Sequence, residues 1–100
     1  FEMTFKNGKK MVLIQGYNEN LNYVFVNKEN VIELIYSDYF SFDAKKQKLF
    51  FENENTIYEI SEKGIHIKTS TKAFDFVAVK VSHKKITKEI FAKCQNVVIK

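Results

Sequence analysis

Cys94, His83 and His66 carry the richest chemistry in this chain, because a thiolate beside an imidazole is a nucleophile with its base. Such a pair needs hydrogen-bond reach and surroundings that depress the thiol pKa, and spacing along the chain supplies neither. Cys94 falls on an apolar stripe, His66 alternates with isoleucines, and His83 stands at the entrance of a helical pattern. The reading is a core thiol and two surface imidazoles, and the chain is expected not to be an enzyme. Two histidines and one cysteine, with no second cysteine at short spacing, do not assemble the four ligands of structural zinc. Gly8, Gly16 and Gly64 are scattered and form neither a dinucleotide fingerprint nor a P-loop. Asp38 with Asp43, and Glu52 with Glu54, lie in turn-rich stretches where solvated charge is the ordinary role. No metal and no cofactor are expected.

Charge offers a different chemistry. All sixteen basic residues are lysine, against twelve acids, for a net charge of +4. Lys80, Lys84, Lys85, Lys88 and Lys93 cluster late in the chain with a single acid, Glu89, among them. Such a patch suits a phosphate backbone or an acidic protein, or simply the wet face of a helix. Tyr17, Tyr36, Tyr39 and Phe40 are the aromatics that would stack on bases if they faced outward beside it. The absence of arginine removes the commonest reader of guanine edges. These lysines and aromatics form the candidate binding residues.

The elements that must position them read mostly as sheet. At 45% apolar and 15% aromatic residues, 100 residues suffice for one core and one domain. The longest apolar run, Met11 to Ile14, is four residues, far short of the roughly 20 that span a bilayer. The N-terminus lacks the basic-then-apolar order of a signal peptide, and Met3 is a candidate initiator. A lone cysteine forms no internal disulfide, so a cytoplasmic, reducing setting is the simpler expectation.

Asn7-Gly8 between Phe1–Lys6 and Lys9–Ile14 marks a tight hairpin and suits a type I′ turn. Tyr23–Val26 reads as a strand. Residues 31–40 fit two templates: Asn30 with Glu33 is similar to a capping box, yet the β-branched and aromatic content favours strand. Strands follow at 48–52, 56–60 and 65–68, the last with Ile65 and Ile67 inward and His66 and Lys68 outward. Ala73–Val81 is apolar on both faces, which predicts a central strand covered on both sides, with Asp75 needing a partner, an exposed end or a bulge. From Ser82, a candidate N-cap, Ile86, Ile90, Phe91 and Cys94 trace one helical stripe with lysines away from its centre. Val97–Ile99 is a possible edge strand.

The fold expected is therefore mainly β (α+β): a curved antiparallel sheet or small barrel with one C-terminal amphipathic helix. Strands followed by a helix is also the element order of pleckstrin-homology-like barrels, and Tyr58-Glu59-Ile60-Ser61-Glu62-Lys63-Gly64-Ile65-His66-Ile67 is similar to their hairpins. That likeness is one of element order alone and carries no function. The function expected is a non-enzymatic interaction module, of the kind found among small bacterial or phage accessory proteins. Its partner would be another protein or a second copy of itself. The alternative is nucleic-acid binding through the lysine-rich helix.

Overall fold

The computed structural model describes residues 1–16, 18–82 and 85–100. The expectations placed on Tyr17, His83 and Lys84 lie outside the described residues. Ten strands form one curled, mixed sheet, a half-barrel, with a short helix near the C-terminus. They are β1 (Glu2–Phe5), β2 (Lys10–Gln15), β3 (Leu21–Val26), β4 (Ile32–Tyr36), β5 (Phe40–Asp43), β6 (Lys48–Asn53), β7 (Thr56–Ser61), β8 (Gly64–Lys68), β9 (Ala73–Val81) and β10 (Val97–Ile99), with α1 (Lys88–Ala92) before the last strand. The order across the sheet is β10-β5-β6-β7-β8-β9-β1-β2-β3-β4. Every pairing is antiparallel except β10 with β5, which is parallel because the chain crosses over through α1 before returning to that edge. Segment 31–40 is two strands joined by a short link, as the β-branched content favours.

Turn chemistry sets the registers. The first hairpin is present, but its turn is not type I′. Gly8 N donates to Phe5 O at 2.9 Å, and Gly8 alone in this loop has positive φ, at 82°. The chain thus makes an ordinary turn through Lys6 and Asn7 and lets Gly8 take the left-handed position of a bulged three-residue loop. Asn30, φ 63°, does the same for β3–β4, with Asn30 N donating to Asn27 O. The type I′ dihedrals sit instead at Glu54 and Asn55, φ 51° and 63°, between the paired Asn53 and Thr56. Gly64 is required for a second reason. With φ 147°, it lies so close to the β9 backbone that a Cβ there would drive into the Phe76 carbonyl.

Alternation along each strand puts a dense aromatic set inside the curl. Phe51 stacks on Tyr36 (centroids 4.3 Å, 18°) and on Tyr58 (4.4 Å, 8°), so β4 and β7 meet through a ring on β6. Tyr23 tilts against Phe51 at 4.8 Å, and Phe40 meets Tyr36 and Phe51 edge-on. A second group, Phe5, Phe25 and Phe76, joins β1, β3 and β9.

The one buried polar residue among those described is Asn96, just before β10. Its Oδ1 accepts from Leu21 N at 2.7 Å, and its Nδ2 donates to Leu21 O (3.0 Å), Ser37 O (3.0 Å) and Asp38 O (2.7 Å). With two hydrogens facing three carbonyls, one hydrogen is shared.

Two further expectations are corrected. Strand β9 is central, but only its inner face is covered: Val77 and Val79 are 67% and 63% exposed. A bulge against β1 skips Val79 between the Lys80 and Ala78 pairings, and Asp75 meets His66 at 2.7 Å on the open face. The helix is also shorter than the apolar stripe implies. Thr87, not Ser82, is its N-cap, with the Thr87 hydroxyl accepting from Ile90 N at 3.4 Å. Ser82 instead extends the sheet, donating its N–H to Glu2 O while its hydroxyl accepts from Glu2 N. Ile86 is buried ahead of the helix, Phe91 and Cys94 are buried within and after it, and Ile90 faces solvent. The cause is tethering at both ends, by Ile86 in the core and by the Asn96 bonds, which leaves room for little more than one turn.

Two measurements check this account. Gly64→Ala should lower unfolding free energy by about 2 kcal/mol or more in urea titration, because both φ and the Phe76 carbonyl oppose a Cβ. Phe91→Ala should cost about 3 kcal/mol or more, whereas Ile90→Asp should cost about 1 kcal/mol or less, the reverse of what a buried Ile90 would give.

Candidate functional site

The basic candidates are exposed and dispersed. Lys80 stands on the outer face of β9 opposite Thr4, Lys85 precedes the helix, Lys88 opens it and Lys93 is its C-cap. None of the four enters an ion pair among the described residues, so their charge is available to solvent or to a ligand. The aromatic candidates divide. Tyr39 is 77% exposed, but Tyr36 and Phe40 are core residues whose rings are occupied by Phe51. The Tyr36 hydroxyl is occupied too, donating to Tyr39 O and accepting from Tyr39 N. A stacking platform of several outward rings beside the lysines is therefore not assembled by the described residues.

The structure brings together two other features. On the outer face of β2, β3 and β4, register aligns Val12 with Val24 and Ile35, and Val26 with Ile32, with Ile14 at one end. Ile14, Ile32 and Ile35 are about half exposed, at 49%, 53% and 55%. This apolar field is bordered by the Lys10–Glu2 pair and runs to β4, an edge strand. A bulge that sets Glu33 aside between Ile32 and Leu34 interrupts that edge, and Glu33 is held by Lys9 at 2.9 Å. Bulges and charges of this kind deter edge-to-edge pairing, so the face rather than the edge is the open apolar surface.

Inside the curl, the gap between β3–β4 and β7–β8–β9 leaves a groove of about 320 Å³. Tyr23, Phe25, Leu34, Tyr58, Phe74 and Phe76 supply most of its wall, and no charged residue lines it. Burial first, and the nearby Tyr58 phenol second, push the Tyr23 pKa far above the ordinary tyrosine range. Tyr58 is raised by burial and then by the Glu54 carboxylate. Both hydroxyls are neutral donors at physiological pH. Neither Tyr23 nor Tyr58 stands among the candidate residues expected from the sequence. The signal was a tyrosine on the inward parity of a strand, Leu21-Asn22-Tyr23-Val24-Phe25, whose hydroxyl needs a partner wherever its ring is buried.

A third hollow of about 840 Å³, of mixed lining, lies over the outer face of β6–β9, where Lys48 pairs with Glu59 at 2.5 Å and His66 with Asp75. No hydroxyl or thiol hydrogen-bonds the His66 ring among the described residues, and no group of three His, Cys, Asp or Glu there is arranged to hold a metal. No described helix is long and apolar enough to cross a membrane. No family model matches the chain, and no curated protein or solved structure matches it.

Cys94 is buried beside Phe91, with its thiol 3.8 Å from Ile90 O. Burial, and then the Glu19 carboxylate, raise its pKa, which keeps the thiol protonated. A thiol-specific reagent at pH 7 should therefore label native protein at least ~100-fold more slowly than urea-unfolded protein, with the native rate still climbing above pH 9. Rapid native labelling that levels off below pH 7 would mean an activated thiolate.

Proposed function

We propose that this chain is a non-enzymatic binding domain that docks a partner protein, or a second copy of itself, on the outer face of β2–β3–β4. One observation carries the reading: six aliphatic side chains, Val12, Ile14, Val24, Val26, Ile32 and Ile35, share one solvent-facing surface on adjacent strands. A contiguous apolar surface is costly to leave wet and is the usual mark of a protein contact. The alternative, nucleic-acid binding, draws on exposed Lys85, Lys88 and Lys93, which lack carboxylate partners among the described residues. It is the weaker reading, because Tyr36 and Phe40 have no free ring face to offer a base.

The two readings separate in one set of variants. Ile32→Lys with Ile35→Glu should leave the fold intact by circular dichroism. It should also abolish both concentration-dependent association in sedimentation equilibrium and capture of the partner from the native host. Retained capture, or a wild-type protein that stays monomeric and captures nothing, overturns the proposal. Charge reversal at Lys85, Lys88 and Lys93 should leave that association unchanged. Should it instead remove DNA or RNA binding that weakens steeply with salt, the nucleic-acid reading takes its place.

A further inference from the structure

Tyr23 is 1% exposed, yet its hydroxyl has no hydrogen-bond partner among the described residues. Among the described residues no fully enclosed side-chain polar atom lacks a partner, so the small exposed remainder of Tyr23 includes its hydroxyl, and Tyr23 lines the inner groove. Tyr58, whose ring centroid is 6.0 Å from that of Tyr23, lines the same groove and likewise makes no side-chain hydrogen bond among the described residues. Two phenols thus line a largely apolar space whose other polar side chains are Thr56 and Thr69, the Thr69 hydroxyl already donating to Lys72 O. A buried tyrosine normally spends its hydroxyl on the protein, as Tyr36 does on the backbone of Tyr39.

We propose that the groove between β3–β4 and β7–β9 is a binding site for a small, uncharged, largely apolar molecule carrying a carbonyl or similar acceptor, held by the Tyr23 and Tyr58 hydroxyls. The chemistry of the lining selects that class. Phe25, Phe74 and Phe76 offer ring faces and edges, and Leu34 and Ile67 close the aliphatic side, which suits a flat apolar body. The absence of any lysine among the lining residues, in a chain otherwise rich in it, leaves nothing to offset a carboxylate or phosphate. Both hydroxyls stay protonated, so they donate, and the complementary group is an acceptor. At about 320 Å³ the space lies at the small end of ligand sites, enough for a two-ring molecule or a short acyl chain. Phe74, 45% exposed at the rim, would be covered by such an occupant. This site faces the inside of the curl and is independent of the outer apolar face.

Three probes of nearly one shape test it on the intact chain: 2-acetylnaphthalene, 2-isopropenylnaphthalene, which lacks the acceptor, and 2-naphthoate, which adds a charge. Binding is read by naphthalene fluorescence and by chemical-shift changes of Leu34 and Ile67 methyls. The ketone should bind saturably and about tenfold more tightly than the hydrocarbon, the factor expected of one or two hydrogen bonds in an apolar site. The carboxylate should bind more weakly than either. Tyr23→Phe keeps the ring and removes only the donor, so it should erase most of the ketone's advantage while leaving the hydrocarbon unchanged. Tyr58→Phe should act in the same direction. Leu34→Trp should exclude all three probes. Equal affinity for ketone and hydrocarbon, no saturation up to the ketone's solubility, or an advantage that survives Tyr23→Phe together with Tyr58→Phe would each overturn the assignment.

Discussion

Asn96 connects parts of the fold that the strand order keeps apart. It sits at the start of β10, on one edge of the ten-stranded sheet, while its side chain bonds both backbone groups of Leu21 in β3 and the carbonyls that link β4 to β5. Strands β3 and β4 lie at the opposite end of the sheet order. One amide therefore fastens the two ends of the curl together. A buried amide without partners costs about 1–3 kcal/mol by mutational measures, and here the cost is offset only in the closed geometry. The bonds thus select this curl against a flatter sheet in which all four would be lost. The backbone of the same segment continues the work, with Gln95 N donating to Glu19 O and Phe40 N to Asn96 O.

The aromatic interior makes the same connection by volume. Tyr36, Phe51 and Tyr58 form a continuous stack from β4 through β6 to β7, with Tyr23 and Phe40 against its flanks. Large rings hold the two halves of the sheet apart by their own thickness, and β4 does not hydrogen-bond to β5. The barrel consequently stays half open. Where the stack ends, no further ring fills the space between Leu34 and Phe74, and the inner groove is what remains.

Much of this was legible in the chain, and the exceptions have specific causes. Alternation placed Ile65 and Ile67 correctly, Tyr23–Val26 was recognisable as strand, and Asn, Asp and Gly marked the loops. Turn type was not legible at Asn7-Gly8, because the bulged loop and the two-residue type I′ loop differ by one residue of register that only pairing decides. Parity failed in 31–40, since the bulge at Glu33 and the link at 37–39 each shift the phase, so the core positions of Tyr36 and Phe40 were hidden. The apolar outer face of β9 suggested cover that the fold does not supply there. Periodicity overstated the helix because Ile86, Phe91 and Cys94 reach the core from the segment before the helix, the helix itself and the residue after its C-cap rather than from one continuous stripe. Of the candidate site residues, Lys80, Lys85, Lys88 and Lys93 were recognisably exposed. The groove tyrosines were not recognisable as a pair, since β3 and β7 come together only through the curl.

Charge contributes little to any of this. The ion pairs of the described residues, Lys9–Glu33, Lys10–Glu2, Lys48–Glu59 and His66–Asp75, are all substantially solvated, and pairs of that kind contribute roughly 0–1 kcal/mol each. Stability rests on the aromatic interior and on Asn96, and the surplus of lysine is free to serve solubility or association without a folding role. The two candidate surfaces differ in this respect. Ile32 and Ile35 face outward on an edge strand, where substitution changes exposed area, whereas Tyr23 and Tyr58 are packed on Phe51, where the hydroxyl can be removed only with the ring retained. The outer face and the groove also occupy opposite sides of the same β3–β4 ladder. Strand β4 has only β3 as a ladder neighbour, with a bulge in the pairing, so whatever occupies either side adds contacts to the least-supported long strand of the sheet.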